Sequence, residues 1–437
     1  MTIAAYPKHH SFKPSGFDWV GDVPEHWGVE KLGSMLTAVS EKNRPDLPLL
    51  SITREQGVIE RDVEDQDSNH NFIPDDLSGY KVLREGQFGM NKMKAWQGSY
   101  GVSAHTGIVS PAYFIFDFAR EVDPHFFNIA IRSKLYVSYF GSASDGVRVG
   151  QWDLNQSRMR QIPVLLPPLS EQRAIAAFLD GKCATIDEAV RIKEEQIRLL
   201  AERRQILIQE AVTRGLTPDA PMKDSGIDWI GQIPAHWEVP CLKHVSKFVL
   251  DGTHGSFPRT EMGYRLLSVR NVINGKFCFR EDDSRVSEAH FREISRKFLI
   301  QKNDIQLAIV GATLGKVALV EEMSEPFVTQ RSLATIRANS KADPEYLAYY
   351  LEAPMYQSFL WSNAGYSAQP GIYLETIQGS SVPLPPVTEQ QEIVEFLEKE
   401  TSKIHAAVEL KYSQITALRE YKTSLINAAV TGKIKVL

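Results

Sequence analysis

The chain has 437 residues, more than one ordinary core accommodates, so at least two domains are expected; 43% hydrophobic and 24% charged is the balance of a soluble globular chain. A formal net charge of −5 argues against a free-standing nucleic-acid binder, although charge acts locally. No stretch approaches the roughly eighteen apolar residues of a membrane span, and Met1 to His10 has no apolar h-region, so a cytoplasmic location is expected.

The first readable segment, Ser15 to Trp27 (Ser-Gly-Phe-Asp-Trp-Val-Gly-Asp-Val-Pro-Glu-His-Trp), returns as Ser225 to Trp237. Its Gly, Pro and Trp content predicts an irregular loop that plugs aromatic rings into a neighbouring surface. His26 and His236 are read as packing residues. Short β-type runs follow at Leu49 to Thr53 and Ile108 to Phe116, and in the second half at Arg265 to Val269, Ile305 to Val310 and Lys316 to Val320. Each half then has Asp-Pro at a helix start, Asp123-Pro124 and Asp343-Pro344, where the missing proline N–H would be unpaired anyway. Tyr136 to Phe140 and Tyr356 to Leu360 complete the parallel.

The longest repeat comes next: Pro168-Leu169-Ser170-Glu171-Gln172 and, as its copy, Pro386-Val387-Thr388-Glu389-Gln390. Ser170 and Thr388 are expected N-caps. Beyond a weak point at Asp180-Gly181, alternating steps of four and three connect Ile186, Val190, Lys193, Ile197, Leu200, Arg204, Leu207 and Ala211. The copy gives Ile404, Val408, Lys411, Ile415, Leu418, Lys422, Leu425 and Ala429. A period of 3.5 held this long predicts two helices packing on each other as a coiled coil. Antiparallel pairing brings Lys193 towards Lys422 and Arg204 towards Lys411, so their charges are expected to snorkel outwards or to meet Glu residues such as Glu194.

Catalytic chemistry is scarce. Gly311 to Val317 approaches a phosphate-binding loop, but it is one residue short between the glycines and has Val317 where a Ser or Thr is required, so a tight turn is predicted. Neither H-E-x-x-H nor G-x-S-x-G occurs, and the Asn/Asp-Pro-Pro-aromatic motif of amino-methylating enzymes is missing. Cys183, Cys241 and Cys278 lie far apart with no C-x-x-C pair, so no disulfide framework or metal site is nominated. Phe257 to Lys302 is rich in Arg and Lys, a pattern that a solvated face also produces.

Leu166-Pro167-Pro168-Leu169-Ser170-Glu171-Gln172 and its copy Leu384 to Gln390, the helix ends Glu210 to Gly215 and Ala428 to Lys433, and the two Trp-x-Gly-x-x-Pro-x-His-Trp openings resemble the specificity subunit of a type I restriction-modification system over essentially the whole chain. The resemblance implies an α+β chain with an internal pseudo-two-fold repeat, in which two mixed, β-rich recognition domains are separated by two long antiparallel helices. The expected divisions are 1–165 and 216–383 for the recognition domains, and 166–215 and 384–437 for the helical spacers. It also implies a non-catalytic subunit that reads a split, asymmetric double-stranded DNA site. Two methyltransferase (M) subunits would bring S-adenosylmethionine, and restriction/motor (R) subunits would bring ATP and Mg2+.

Base reading needs Arg or Lys for guanine and Asn or Gln for adenine. Candidates in the first domain are Lys92, Lys94, Gln97, Ser99 and Arg148. In the second they are His254, Arg259, Arg270, Asn271, Lys316, Gln330, Arg331 and Gln369. Two other classes stay open on the residues alone: a DNA methyltransferase or nuclease with its own recognition domains, and a coiled-coil assembly protein without nucleic acid.

Overall fold

The computed structural model describes residues 3, 6–62, 73–74, 76–146, 152–273, 275–366 and 369–436. Among them no helix is long and apolar enough to cross a membrane. The chain divides into two units, Met1–Lys193 with Tyr412–Leu437, and Glu194–Lys411. Each of the two long helices, Leu169–Arg214 and Val387–Val430, therefore contributes one half to each unit.

In the first unit a four-stranded antiparallel sheet runs in the order Leu36–Val39, Phe114–Phe118, Phe88–Met90, Tyr100–Val102. The single run expected from Ile108 to Phe116 is two strands. Ser110 to Tyr113 forms a turn with Pro111 in its second position, closed by Tyr113 N–H on the Ser110 carbonyl at 3.0 Å, and a proline there cannot continue the ladder. Phe127, on the helix Pro124–Ile131, presents an edge-on contact to Phe88 of the sheet (5.4 Å). That helix starts where the sequence places it, because the Asp123 carboxylate accepts from Phe126 N–H at 2.8 Å.

The same order returns in the second unit with Ser246–Asp251, Leu333–Ala338, Ile305–Ala308 and Val317–Leu319. Two short strands, Lys276–Phe277 and Val272–Ile273, extend it. A separate three-stranded sheet joins Arg285–Val286, Tyr264–Leu267 and Phe327–Thr329. Between Ala308 and Val317 the chain makes the expected tight turn, with Gly315 at φ +89° and its N–H on the Ala308 carbonyl at 2.9 Å. Asp343 caps the helix Pro344–Glu352 through Glu345 and Tyr346 N–H.

The repeated Glu-Gln pair builds one joint in each unit. Gln172, 3% exposed, accepts from Asp123 N–H (2.9 Å) and donates to the Pro167 carbonyl (2.8 Å). Gln390, fully buried, accepts from Asp343 N–H (2.7 Å) and donates to the carbonyls of Pro385 (2.8 Å) and Lys341 (3.0 Å). Beside them Glu171 binds His26 at 2.8 Å and Glu389 binds His236 at 2.7 Å. Trp27 and Trp237 are fully buried next to these pairs, whereas Trp19 packs on Tyr139 (4.1 Å) and Trp229 on Phe359 (4.8 Å). The joint is closed by the end of the other long helix. Gly432 (φ +71°) lies under Trp27 and Pro24, and Gly215 (φ +68°) lies under Trp237; a β-carbon at either would stand 3.2 Å from the ring, and at Gly432 it would clash with Pro24. Aligned by motif, Gly432 stands opposite Arg214; the structure instead gives it the part of Gly215, one residue earlier in the helix end.

Two local expectations change. Helices start at Leu169 and Val387, and the Pro168 and Pro386 carbonyls accept the first bonds, from Gln172 and Gln390 N–H at 3.0 Å each. Ser170 and Thr388 are therefore exposed first-turn residues and not caps, because proline's fixed φ already suits the entry. The first helix runs unbroken through Asp180-Gly181, a single exposed glycine costing only about 1 kcal/mol. Of the seam charges, Arg204 makes a two-pronged bond to Glu352 (2.7 and 3.0 Å), and Lys422 binds Asp187 (2.7 Å).

Along the seam, Ile186, Val190, Ala211, Ile404, Ile415, Leu425 and Ala429 are buried, and Ile197, Leu200, Leu207, Val408 and Leu418 are half-buried. In the last turns of the first helix Ile208 is fully buried in place of Leu207, because Ile208 and Val212 face the core of the second unit.

Replacing Gln390 by Ala leaves three backbone groups without their partner and should cost about 3 kcal/mol in urea unfolding. Thr388→Ala, at an exposed position that caps nothing, should cost less than about 0.5 kcal/mol. Equal losses from both would restore the cap and remove the clamp.

Candidate nucleic-acid interface

Corresponding edges of the two sheets carry most of the candidate residues. In the first unit the turn from Phe88–Met90 to Tyr100–Val102 passes through Lys92, Lys94 and Gln97, and Leu154 N–H donates to the Lys92 carbonyl at 3.1 Å. The second unit's equivalent turn, from Ile305–Ala308 to Val317–Leu319, holds Lys316, and Ile372 N–H donates to the Ile309 carbonyl at 3.0 Å. In both units, then, a short hairpin that follows the second domain helix is bonded to this turn: Ser144–Asp145 with Asp153–Leu154, and Gly365–Tyr366 with Pro370–Gly371.

The side chains at these edges differ. In the first unit Trp96 meets Trp152 (5.1 Å), Lys94 is exposed, Gln97 is half-buried, and Lys92 Nζ is tied to Asp153 at 3.1 Å. Ser99 is only 2% exposed and serves the turn through its backbone, so its hydroxyl does not face outwards. Arg148 lies outside the described residues. In the second unit the edge is widened by the loop after Ser246–Asp251: Arg331 N–H donates to Thr253 (3.0 Å) and Ile309 N–H to Ser332 (2.9 Å). His254, Gln330 and Arg331 thus come together, and Gln369, exposed beside Pro370, adjoins the Gly311 turn through Gly311 N–H on the Pro370 carbonyl (2.8 Å).

Two candidates of the second domain belong to its framework. Asn271 is fully buried; its amide donates to Cys278 (3.0 Å) and Asp283 (2.8 Å) and accepts from Ser268 N–H (3.1 Å). Arg270 is held by Asp282 (2.9 Å) and Asp283 (3.3 Å). The basic run around them is largely neutralised from within, by Arg265 and Arg285 on Glu325, Lys276 on Glu321, and Lys297 on Asp251. Burial raises the Asp251 carboxyl, but the hydrogen bonds from His254 and Lys297 outweigh it and hold Asp251 below the usual carboxylate range. Glu325 follows the same pattern, with burial opposed by Arg265 and Arg285. Among the described residues no carboxylate pairs with Lys94, Arg259, Lys316 or Arg331, and all four are exposed.

The sequence reading did not find the His26–Glu171 and His236–Glu389 pairs, whose members stand 145 and 153 residues apart. The available signal was that each His and each Glu recurs inside a repeated motif.

Against known proteins, residues 284–411 match the family model for the type I restriction modification DNA specificity domain. The chain is 27% identical over 308 residues to the type I restriction enzyme MjaVIII specificity subunit of Methanocaldococcus jannaschii, covering 69% of each. It is 24% identical to the putative MjaX specificity subunit of the same organism, over 100% of this chain and 99% of that one. Among solved structures, one described as showing complex assembly and conformational transition of the type I R-M system aligns over 93% of this chain and 98% of its own, at TM-score 0.71 and 16% identity. The HsdS subunit from Thermoanaerobacter tengcongensis aligns over 94% and 98%, at TM-score 0.57 and 17% identity. Such a pair of units, each with a framed and variable edge, fits a DNA specificity protein. The family model and the curated relatives indicate a type I restriction-modification specificity subunit, and the solved structures share its fold.

Arg331→Ala should weaken retention of non-specific duplex DNA and flatten its log–log salt dependence by about one unit. Arg270→Ala should leave that slope unchanged and lower stability, since it removes one of the hydrogen bonds to the buried Asp283. Fluorescence anisotropy across a salt series distinguishes the two; an unchanged slope for Arg331→Ala would remove it from the interface.

Proposed function

We propose that the chain reads a bipartite, asymmetric site on double-stranded DNA, one half-site per recognition domain, and recruits two methyltransferase subunits and restriction/motor subunits to it. The recognition domains are 1–165 and 216–383, and the spacers 166–215 and 384–437 form an antiparallel coiled coil in a pseudo-two-fold repeat. The observation that carries this reading is the contrast inside each unit between a joint made of the same residues and an edge made of different ones. Gln172 and Gln390 make the same clamp. The edges offer Lys94 and Gln97 in one unit, and Gln330, Arg331 and Gln369 in the other. Arg and Lys suit guanine O6 and N7, while Gln suits adenine N6 and N7, so unlike edges on like frames would read unlike half-sites.

The net charge of −5 accords with a subunit that shares phosphate neutralisation with its partners. In this reading the chain itself binds no cofactor. S-adenosylmethionine belongs to the methyltransferase subunits, and ATP and Mg2+ to the motor subunits.

Exchange of residues 28–150 for the equivalent region of another such subunit should change one half of the methylated sequence and leave the other intact. Methylome sequencing of a host carrying the swapped operon reads this directly. A change in both halves would overturn independent reading.

A further inference from the structure

The joint of the first unit contains a residue that its counterpart lacks. His9 lies against His26 and Trp27, with ring centroids 5.5 and 6.1 Å away. Its side chain is 7% exposed, and its Nε2, 3.7 Å from Glu171 Oε1, has no hydrogen-bond partner. A buried ring nitrogen left without a partner beside a carboxylate oxygen is an arrangement that a cation between them resolves.

The second joint shows what a satisfied arrangement looks like. There Glu389 takes His236 on one oxygen and the indole N–H of Trp237 on the other, at 3.1 Å. In the first joint the Trp27 indole N–H makes no such bond, and Glu171 Oε1 is left towards His9.

We propose that His9, His26 and Glu171 form a binding site for one divalent transition-metal ion of the zinc type, which ties the two histidines to the start of the first long helix. Two imidazole nitrogens and one carboxylate oxygen are a ligand set that Zn2+ accepts. Their three ligand atoms lie within 4.8 Å of one another. Bonds of about 2.0–2.1 Å in a tetrahedron separate ligand atoms by about 3.3 Å, so closing the site needs only side-chain shifts of roughly 1 Å. The ion replaces the proton now shared by His26 and Glu171. The half-exposed His26 leaves a fourth position to water. Lys435 N–H donates to the Pro7 carbonyl at 2.7 Å, which holds the segment that carries His9 beside residues 434–435.

The proposal stands apart from the DNA reading and is tested without DNA. The full chain is titrated with Zn2+ alone against a chromophoric chelator, and Co2+ replaces it for visible spectra. Expected are one tight equivalent and a four-coordinate Co2+ spectrum. Both should be lost, with affinity at least tenfold weaker, in His9→Phe, which keeps the buried ring, and in His26→Gln, while His236→Gln retains them. Circular dichroism establishes that each variant is folded. Absence of a tight equivalent in the wild-type chain, or its persistence in folded His9→Phe, would overturn the site.

Discussion

Two buried glutamine amides fix this structure. Gln172 and Gln390 each hold the first residue of a domain helix by its backbone N–H and the proline-rich entry of a long helix by its carbonyl. Both side chains are buried, so each bond is made with protein or left unmade at a cost of about 1–3 kcal/mol. The long helix is thereby fixed to the domain it leaves. The glycine at the end of the other long helix closes the same joint from the opposite side, and a β-carbon at Gly432 would stand 2.3 Å from Pro24.

Because the joint is made of backbone bonds, buried rings and one His–Glu pair, the sheets beyond it are free to differ. They keep four strands in the same order, yet the second sheet gains two strands and a neighbouring three-stranded sheet. The turn and hairpin differ between the units and carry exposed side chains. Joint and edge thus rest on different kinds of contact, one buried and repeated, the other exposed and individual.

Features governed by local chemistry were legible in the sequence. Asp123 and Asp343 cap the helices predicted from Asp-Pro, and Gly311 to Lys316 makes the turn predicted from its spacing. The mixed helix and strand content and the long helices also followed from periodicity. What was illegible depended on distant partners. Arg204 looked like a charge within a seam, but Glu352, 148 residues on, takes it. Ser99 and Asn271 had the right chemistry for DNA contacts and proved to be buried, since residue type says nothing of burial in a loop. The basic stretch from Phe257 to Lys302 was legible only as composition; its own acids, Asp282 and Asp283, and Glu321 and Glu325 beyond it, pair with most of its charges.

In the proposed function the frame is a spacer and the edges are readers, and lengthening the frame separates these roles most directly. Four residues inserted between Ile197 and Leu200 add about 6 Å of helix and replace a step of three by one of seven, which keeps the apolar stripe in phase. With a rise of about 3.4 Å per base pair, methylation mapping should show both half-sites unchanged and the gap between them longer by one or two base pairs. A complex that still methylates with the original gap, or with an altered half-site, would contradict the account.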